Sequence, residues 1–386
     1  MAVNRPSGTL LPGFAALLLM GTCLSATSVR ADETAERTEI EPEISASIIG
    51  TYQSPSDSRA NDEASLRPEV WVVLPVAGIG GELHAHFEGT TTPRTDGVSS
   101  FFDANANVGA ATNSAGHGRV QISELYYEFE AGGLSISAGL LDTTAFLDAS
   151  AFAGDEHTQF MNSTLVHNAT IEFPDYTLGV AIGTEGEGYV PGVTVVVGGS
   201  SGLGDNASHS YPDLFDMRSS GKGVFAGGEL GWGLPALGEE GAARLGVWTN
   251  TADHAYLDGS SGTPDNKGVY GVLEGTALDT GWTLRAGLAD QDVSAADWFL
   301  GAAIQRKIGE QVTLGLGVTE TGLSDDASAP GVDDSTQAEL YVKYDVLPHV
   351  NLTPSVQWIR NPGFDSSDTV IDKDNWIVGF RIGLDI

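Results

Sequence analysis

The residues of this chain that could do chemistry are few and regularly placed. Lys and Arg together number only 18, and Arg67, Arg119, Arg244, Arg285, Lys343 and Arg381 each fall on the polar positions of a segment that alternates polar with apolar residues. Glu69 and Glu339, with Glu82, Glu229 and Glu274, share that phase, as do Trp71, Trp248, Phe299 and Tyr341. Guanidinium forks and carboxylates facing one space offer paired donors and acceptors to hydroxyl groups. Aromatic faces on the same side give a sugar ring something to pack on. This combination suits passage of a polyol, and no enzyme constellation of nucleophile, base and orienting group stands out. His84 and His86 stand two apart on the polar phase of one segment, but a third ligand is not identifiable. They read as polar wall residues, and neither a metal nor a cofactor is expected.

A second set lies in one stretch, residues 142–163. Asp142, Asp148, Asp155, Glu156, His157, Gln159 and Asn162 are interleaved there with Phe146, Leu147, Phe152, Phe160 and Met161. Such apolar side chains gain nothing in water. The stretch is therefore expected to fold back as a constriction loop, its apolar set anchored on a wall and its polar set lining a narrow passage. An Ω-like loop packed on its own residues is the alternative. Acidic residues lining a passage would repel anions and concentrate cations.

The elements that must hold these residues read as strands. In "NWIVGFRIGLDI" (375–386), Trp376, Val378, Phe380, Ile382, Leu384 and Ile386 share one face, opposite Arg381 and Asp385. The same alternation recurs at 43–53, 66–76, 81–89, 119–130, 132–140, 221–232, 242–250, 281–289, 311–319, 336–346 and 349–358. Short turns are expected at 77–80, 131–133, 174–175, 278–279, 307–309 and 347–349, with a longer one at 233–241. They alternate with long polar stretches at 54–65, 90–118, 142–163, 185–220, 251–266, 290–296, 320–335 and 361–373. One apolar run, "VTVVVG" (193–198), is left inside the fourth of these. The fold class expected is all-β: a transmembrane antiparallel β-barrel of about sixteen strands, with short periplasmic turns and long extracellular loops. Tyr52, Phe87, Trp282, Trp298, Tyr344, Trp358 and Trp376 fall near strand ends on the apolar face, as interfacial anchors do. A secreted β-rich binding or adhesion protein is the competing class.

A formal net charge of −34 sets nucleic acid aside as a partner, because its binding rests on neutralising phosphates. Residues 1–31 read as an export signal: Arg5, the apolar run "LLPGFAALLLMGTCLSA", then Val29-Arg30-Ala31. The sole cysteine, Cys23, lies within it. Residues 32–386 then form a single barrel domain. No later run approaches the roughly 18 to 20 apolar residues of a membrane helix, whereas a spanning strand needs only about 9 to 11. The expected location is the bacterial outer membrane. The expected partners are membrane lipid and small sugars or other small polar solutes, with a homotrimer and a monomer both open.

The closing segments "VNLTPSVQWIRNPGF" (350–364) and "NWIVGFRIGLDI", with "LGVWTNT" (245–251) and "YGVLEG" (270–275), resemble the carbohydrate-selective porin family (OprB type). The residues that carry the likeness are Pro354, Gln357, Asn361-Pro362-Gly363, Gly379 and Arg381. Residues 126–164 are similar to a strand pair and following loop of that family, through Phe146, Asp148, Phe152, Gln159 and Phe160. The resemblance implies an outer-membrane porin giving passive diffusion of small hydrophilic solutes, carbohydrates among them. A general or cation-preferring porin is the alternative within the class.

Overall fold

The computed structural model describes residues 41–77, 80–186, 190–219, 221–326, 334–362 and 374–386. The expected export signal, Gly363 and most of the acidic run at 365–375 lie outside the described residues. Sixteen strands form one closed barrel, each paired antiparallel with its neighbours in sequence. The first half comprises β1 (Glu43–Pro55), β2 (Glu63–Pro75), β3 (Glu82–Gly89), β4 (Val120–Ala131), β5 (Leu134–Leu141), β6 (Thr177–Thr184), β7 (Gly192–Gly199) and β8 (Val224–Gly233). The second comprises β9 (Ala242–Asn250), β10 (Asn266–Ala277), β11 (Thr280–Ala289), β12 (Ala296–Ile308), β13 (Val312–Leu323), β14 (Ser335–Leu347), β15 (Val350–Arg360) and β16 (Asp374–Asp385).

Closure comes from β1 pairing with β16, in a register running from Ser47 opposite Asp385 to Pro55 opposite Ile377. Ile386 continues the ladder: its N–H donates to the Ala46 carbonyl at 2.8 Å, and Ala46 N–H returns the bond at 3.1 Å. No edge is left open, which is what a sheet surrounded by lipid requires. Along β16 the exposed apolar residues are Trp376, Val378, Phe380 and Ile382, while Asn375, Ile377, Gly379, Arg381 and Gly383 are buried. The apolar phase thus faces outward, the reverse of a soluble core, and forms the belt that meets lipid. Among the described residues, no helix is long and apolar enough to cross a membrane; the strands do the crossing.

The strand count matches the expectation, but two assignments move. Residues 193–198 are not loop: they belong to β7, where Val193, Val195 and Val197 face outward and Val196 is fully buried inside. A run of β-branched residues fits a pleated wall. Conversely, Pro174-Asp175 does not join two strands. The chain from 142 to 176 is one excursion containing only a 3₁₀ turn, Thr143–Ala145, and a short helix, α1 (Ser163–Val166). Asn162 caps α1 by accepting from Thr164 N–H, and the Asn168 side chain accepts from Thr170 N–H at 3.1 Å. Side-chain bonds to nearby backbone of this kind compete with strand pairing.

Candidate pore and constriction site

The excursion 142–176 lies inside the barrel, and its apolar residues show why. Phe160, Met161, Leu165 and Val166 are buried, and Phe160, Leu165 and Val166 pack with Ala303 and Tyr341 of the wall. The Phe160 ring meets that of Tyr341 edge-on at 5.0 Å. Leu147 and Ile171, with Phe146 and Phe173, pack against Val196, Phe225, Trp248 and Tyr270 on strands β7 to β10. The loop is therefore anchored on two inward apolar patches of the wall.

Charged wall residues complete the anchoring. Glu339 accepts from Met161 N–H at 3.0 Å and Asn162 N–H at 2.8 Å, and the Asn162 amide donates to Gln337 at 2.6 Å and Gln357 at 3.1 Å. Arg381, fully buried, donates to the carbonyl oxygens of Glu156 at 2.7 Å and Gln159 at 3.1 Å. Arg285 donates to the carbonyls of Ala153, Val166 and Asp148 at 3.1, 3.0 and 3.0 Å and is ion-paired with the Asp148 carboxylate. Glu229 accepts from Asp148 N–H at 3.0 Å, and Glu274 from Ala151 N–H at 2.9 Å while pairing with Arg244 at 2.6 Å. A charge taken out of water is tolerated only when paired and hydrogen-bonded. The loop backbone supplies partners to each of Glu339, Arg381, Arg285, Glu229 and Glu274.

Arg67 on β2 gathers Glu69 at 2.5 Å, Glu88 at 2.7 Å and, from the loop, Glu156 at 3.0 Å. Burial opposes ionisation of Glu156, yet Arg67, then His157, hold its carboxyl down at about 2. Burial pushes the Asp148 carboxyl up, against the pull of Arg285. Asp175 is pushed up to about 8, first by burial and then by Asp205, Glu88 and Asp142.

A second loop enters the bore, and the strand pattern did not reveal it. Residues 90–119 connect β3 to β4, and from them Val98, Phe102 and Ala104 pack against Ile359 and Ile377. Those two isoleucines interrupt the polar phase of β15 and β16, and that interruption was the available signal. The Ala104 carbonyl accepts from Gln53 and Gln357, each at 2.8 Å, and Asn105 donates to Thr51 at 2.9 Å. The two loops also join each other: Ala106 N–H donates to Met161 O and Ser163 N–H to Asp103 O, each at 2.8 Å, and the Asn107 amide to Glu156 O at 2.9 Å.

Between the loops lies a chamber of about 720 Å³. Its charged lining is Arg67, Asp142, Asp148, Glu156, Glu172 and Asp175, with Arg285; Phe173, Tyr176 and Asn168 add aromatic and amide surface. Both arginines are already engaged by carboxylates. Among the described residues, no lysine or arginine pairs with Asp142, Glu172 or Asp175; Glu172 meets the His254 imidazole and the Asn266 side-chain amide, each at 3.0 Å.

Residues 80–385 match a family model described as "Carbohydrate-selective porin, OprB family". The chain belongs to this family. Among solved structures, this OprB-family chain is similar to Pseudomonas putida OprB at high pH, with a TM-score of 0.68 at 15% identity, covering 89% of this chain and 94% of that one. A mutant Rh. blastica porin aligns with a TM-score of 0.54 at 13% identity, covering 90% and 100% of the two chains. The trimer form of OmpT from Vibrio cholerae gives 0.53 at 13%, covering 90% and 99%. At these identities the likeness is one of fold. An uncharacterized protein of Aquifex aeolicus is 37% identical over 65 residues, which span 17% of this chain and 21% of that protein.

The remaining sequence-derived residues of this OprB-family barrel are placed as follows. Asp155 accepts from His157 N–H at 2.7 Å and Thr158 N–H at 3.2 Å, and the Gln159 side chain accepts from Gly154 N–H at 2.9 Å, so both shape the loop tip. Arg119 donates to His209 O at 2.7 Å and Gln121 at 3.0 Å, outside the chamber. Lys343 pairs with Asp345 at 3.4 Å, away from the loops. Trp248 is buried beside Phe225 as a floor for the loop. His84 stacks on Tyr126 at 4.7 Å and His86 on Trp71 at 4.5 Å.

Proposed function

We propose that small hydrophilic solutes, carbohydrates first among them, cross the outer membrane through the chamber between the two inward loops, with loop 142–176 as the constriction. The observation that carries this reading is the chamber itself: a cavity of about 720 Å³ inside a closed barrel, lined by acceptors, the guanidinium groups of Arg67 and Arg285, and the aromatic side chains of Phe173 and Tyr176. Sugar hydroxyls would exchange hydrogen bonds with Asp142, Glu172, Asp175 and Asn168, and a ring face would pack on Phe173 or Tyr176. Transport on this reading is passive and includes no covalent step. Arg67, Glu69 and Glu156 would border the path, whereas Arg119, Arg244, Trp248, Arg285, Glu339, Lys343 and Arg381 would act by holding the wall and loop in place.

A cation-preferring diffusion pore is the second reading, favoured by the carboxylates that no lysine or arginine neutralises. Residues 1–31 would be removed on export, and the barrel would work as a monomer or a homotrimer. Planar-bilayer conductance of the folded protein with added neutral sugars tests the scheme. Concentration-dependent current block by a monosaccharide is expected; ion current without block supports the second reading, and absence of any channel ends both.

A further inference from the structure

His157 stands at the tip of the inward loop, and its environment is unusual for an imidazole. Its Nε2 lies 3.5 Å from Glu69 Oε1 on β2 and 3.5 Å from Glu156 Oε1 beside it. On β3, His86 approaches the same group: Nε2 lies 3.9 Å from Glu69 Oε1, and Nδ1 3.4 Å from Glu124 Oε2 on β4. The His86 ring stacks on Trp71, whose ring also lies 6.4 Å from that of His157. His157 Nε2 and both His86 nitrogens are buried without a hydrogen-bond partner.

The local charge is lopsided. Arg67 is the cation in contact with Glu69, Glu88 and Glu156, Glu124 adds a further carboxylate across the His86 ring, and His167 also acts on Glu156. With neutral imidazoles, Arg67 and, through Glu156, Arg381 are the guanidiniums set against the four carboxylates of Glu69, Glu88, Glu124 and Glu156. Imidazole is the side chain that ordinarily gains a proton between about pH 8 and 5, and here each proton would convert an unsatisfied contact into an ion pair.

We propose that His157 is a positioning residue for the constriction: its protonation latches the loop tip to β2, with His86 as a second proton acceptor, so the tip is held more tightly as pH falls. This rests on the reading of loop 142–176 as the constriction. Glu156 remains ionised throughout that range, so the loop's own carboxylate is not lost as the imidazole charges. Arg67 bonds Glu156 at either pH and keeps the loop docked, while the imidazole sets how firmly the segment around Gly154–Gln159 is held.

Hydrogen exchange of the full protein in liposomes, followed by mass spectrometry on a peptide covering 150–162 and corrected for intrinsic rates, reads the latch without requiring any solute to pass. Protection in the wild type is expected to rise about fivefold or more from about pH 8 to about pH 5.5, the factor that one extra ion pair of ordinary strength supplies. His157→Gln should flatten that dependence, and His157→Lys should show the acid-pH protection at both pH values. His86→Gln should reduce the dependence, and His84→Gln should leave it unchanged. Equal protection at both pH values in the wild type, or full dependence retained in His157→Gln, overturns the proposal. Should His157→Gln fail to fold, the wild-type titration and His157→Lys decide the question. Conductance recorded on the same samples separates the two ideas: a pH-dependent latch in a barrel without channel activity leaves the latch standing and removes the porin mechanism.

Discussion

The Arg381 guanidinium donates to the Glu156 carbonyl oxygen at 2.7 Å, tying the last strand of the barrel to the tip of a loop that lies 225 residues earlier. An arginine that looks available to a solute is therefore a structural tether, fully buried and oriented by a backbone carbonyl. Arg381→Ala is expected to loosen the loop tip by about 1.5–3 kcal/mol, the range for hydrogen bonds that involve a charged partner. Single-channel recordings should then show larger and noisier conductance with weaker sugar block. Unchanged conductance would argue that the other tethers suffice.

Asn162 combines a helix cap with two wall contacts. Its side chain accepts from Thr164 N–H and donates to Gln337 and Gln357. Asn162→Ala should cost about 1 kcal/mol for the cap alone and more for the two glutamines left unsatisfied in the wall. Faster hydrogen exchange confined to residues 155–168, with the strands unaffected, is the expected signature.

Asp175 should make charge selectivity depend on pH. With its carboxyl pushed up to about 8, by burial first and then by Asp205, Glu88 and Asp142, it is neutral at pH 7 and ionises as pH passes 8. Cation over anion preference, read as reversal potential in a salt gradient, should increase between about pH 7 and 9 in the wild type. It should stay flat in Asp175→Asn.

The same group has a stability consequence of definite sign. The folded state holds the Asp175 proton up to about pH 8, whereas the unfolded chain releases it near about 3.9. The folded state therefore binds more protons between those limits, and stability falls as pH rises through them. Asp175→Asn should remove that loss and be the more stable protein at high pH, as measured by heat-induced loss of the folded form in detergent.

Leu278 and Asp279 close the turn between β10 and β11 with φ values of 51° and 58°. Asp tolerates that conformation; a leucine there costs about 1–2 kcal/mol. Because Leu278 is 90% exposed, removing its side chain sacrifices little packing. Leu278→Gly or Leu278→Asn should raise the unfolding midpoint and leave conductance unchanged.

The barrel was legible in local alternation. Alternation with a period of two is a property of each segment alone, and Leu245, Phe380 or Ile382 can face only lipid when their neighbours are polar or glycine. Inward placement of Arg285, Glu339 and Arg381 follows from the same rule, because a charge facing lipid costs about 2–4 kcal/mol at the midplane. The apolar side chains scattered through 142–163 likewise signalled that this stretch needs a surface to cover.

What the inward charges do depends on contacts across the bore. Arg285 and Arg381 are committed to loop carbonyls, and that follows from complementarity between groups more than a hundred residues apart, which no local pattern encodes. The course of residues 90–119 into the bore depends in the same way on Ile359 and Ile377 across the barrel. The choice between 164–173 and 193–198 as wall was also non-local. Both stretches contain β-branched residues, and what separates them is that Asn162 and Asn168 turn the first onto its own backbone, while the second finds strands to pair with on both sides. A strand's phase is set by its immediate neighbours, whereas a loop's destination is set by whichever distant surface can satisfy its buried groups.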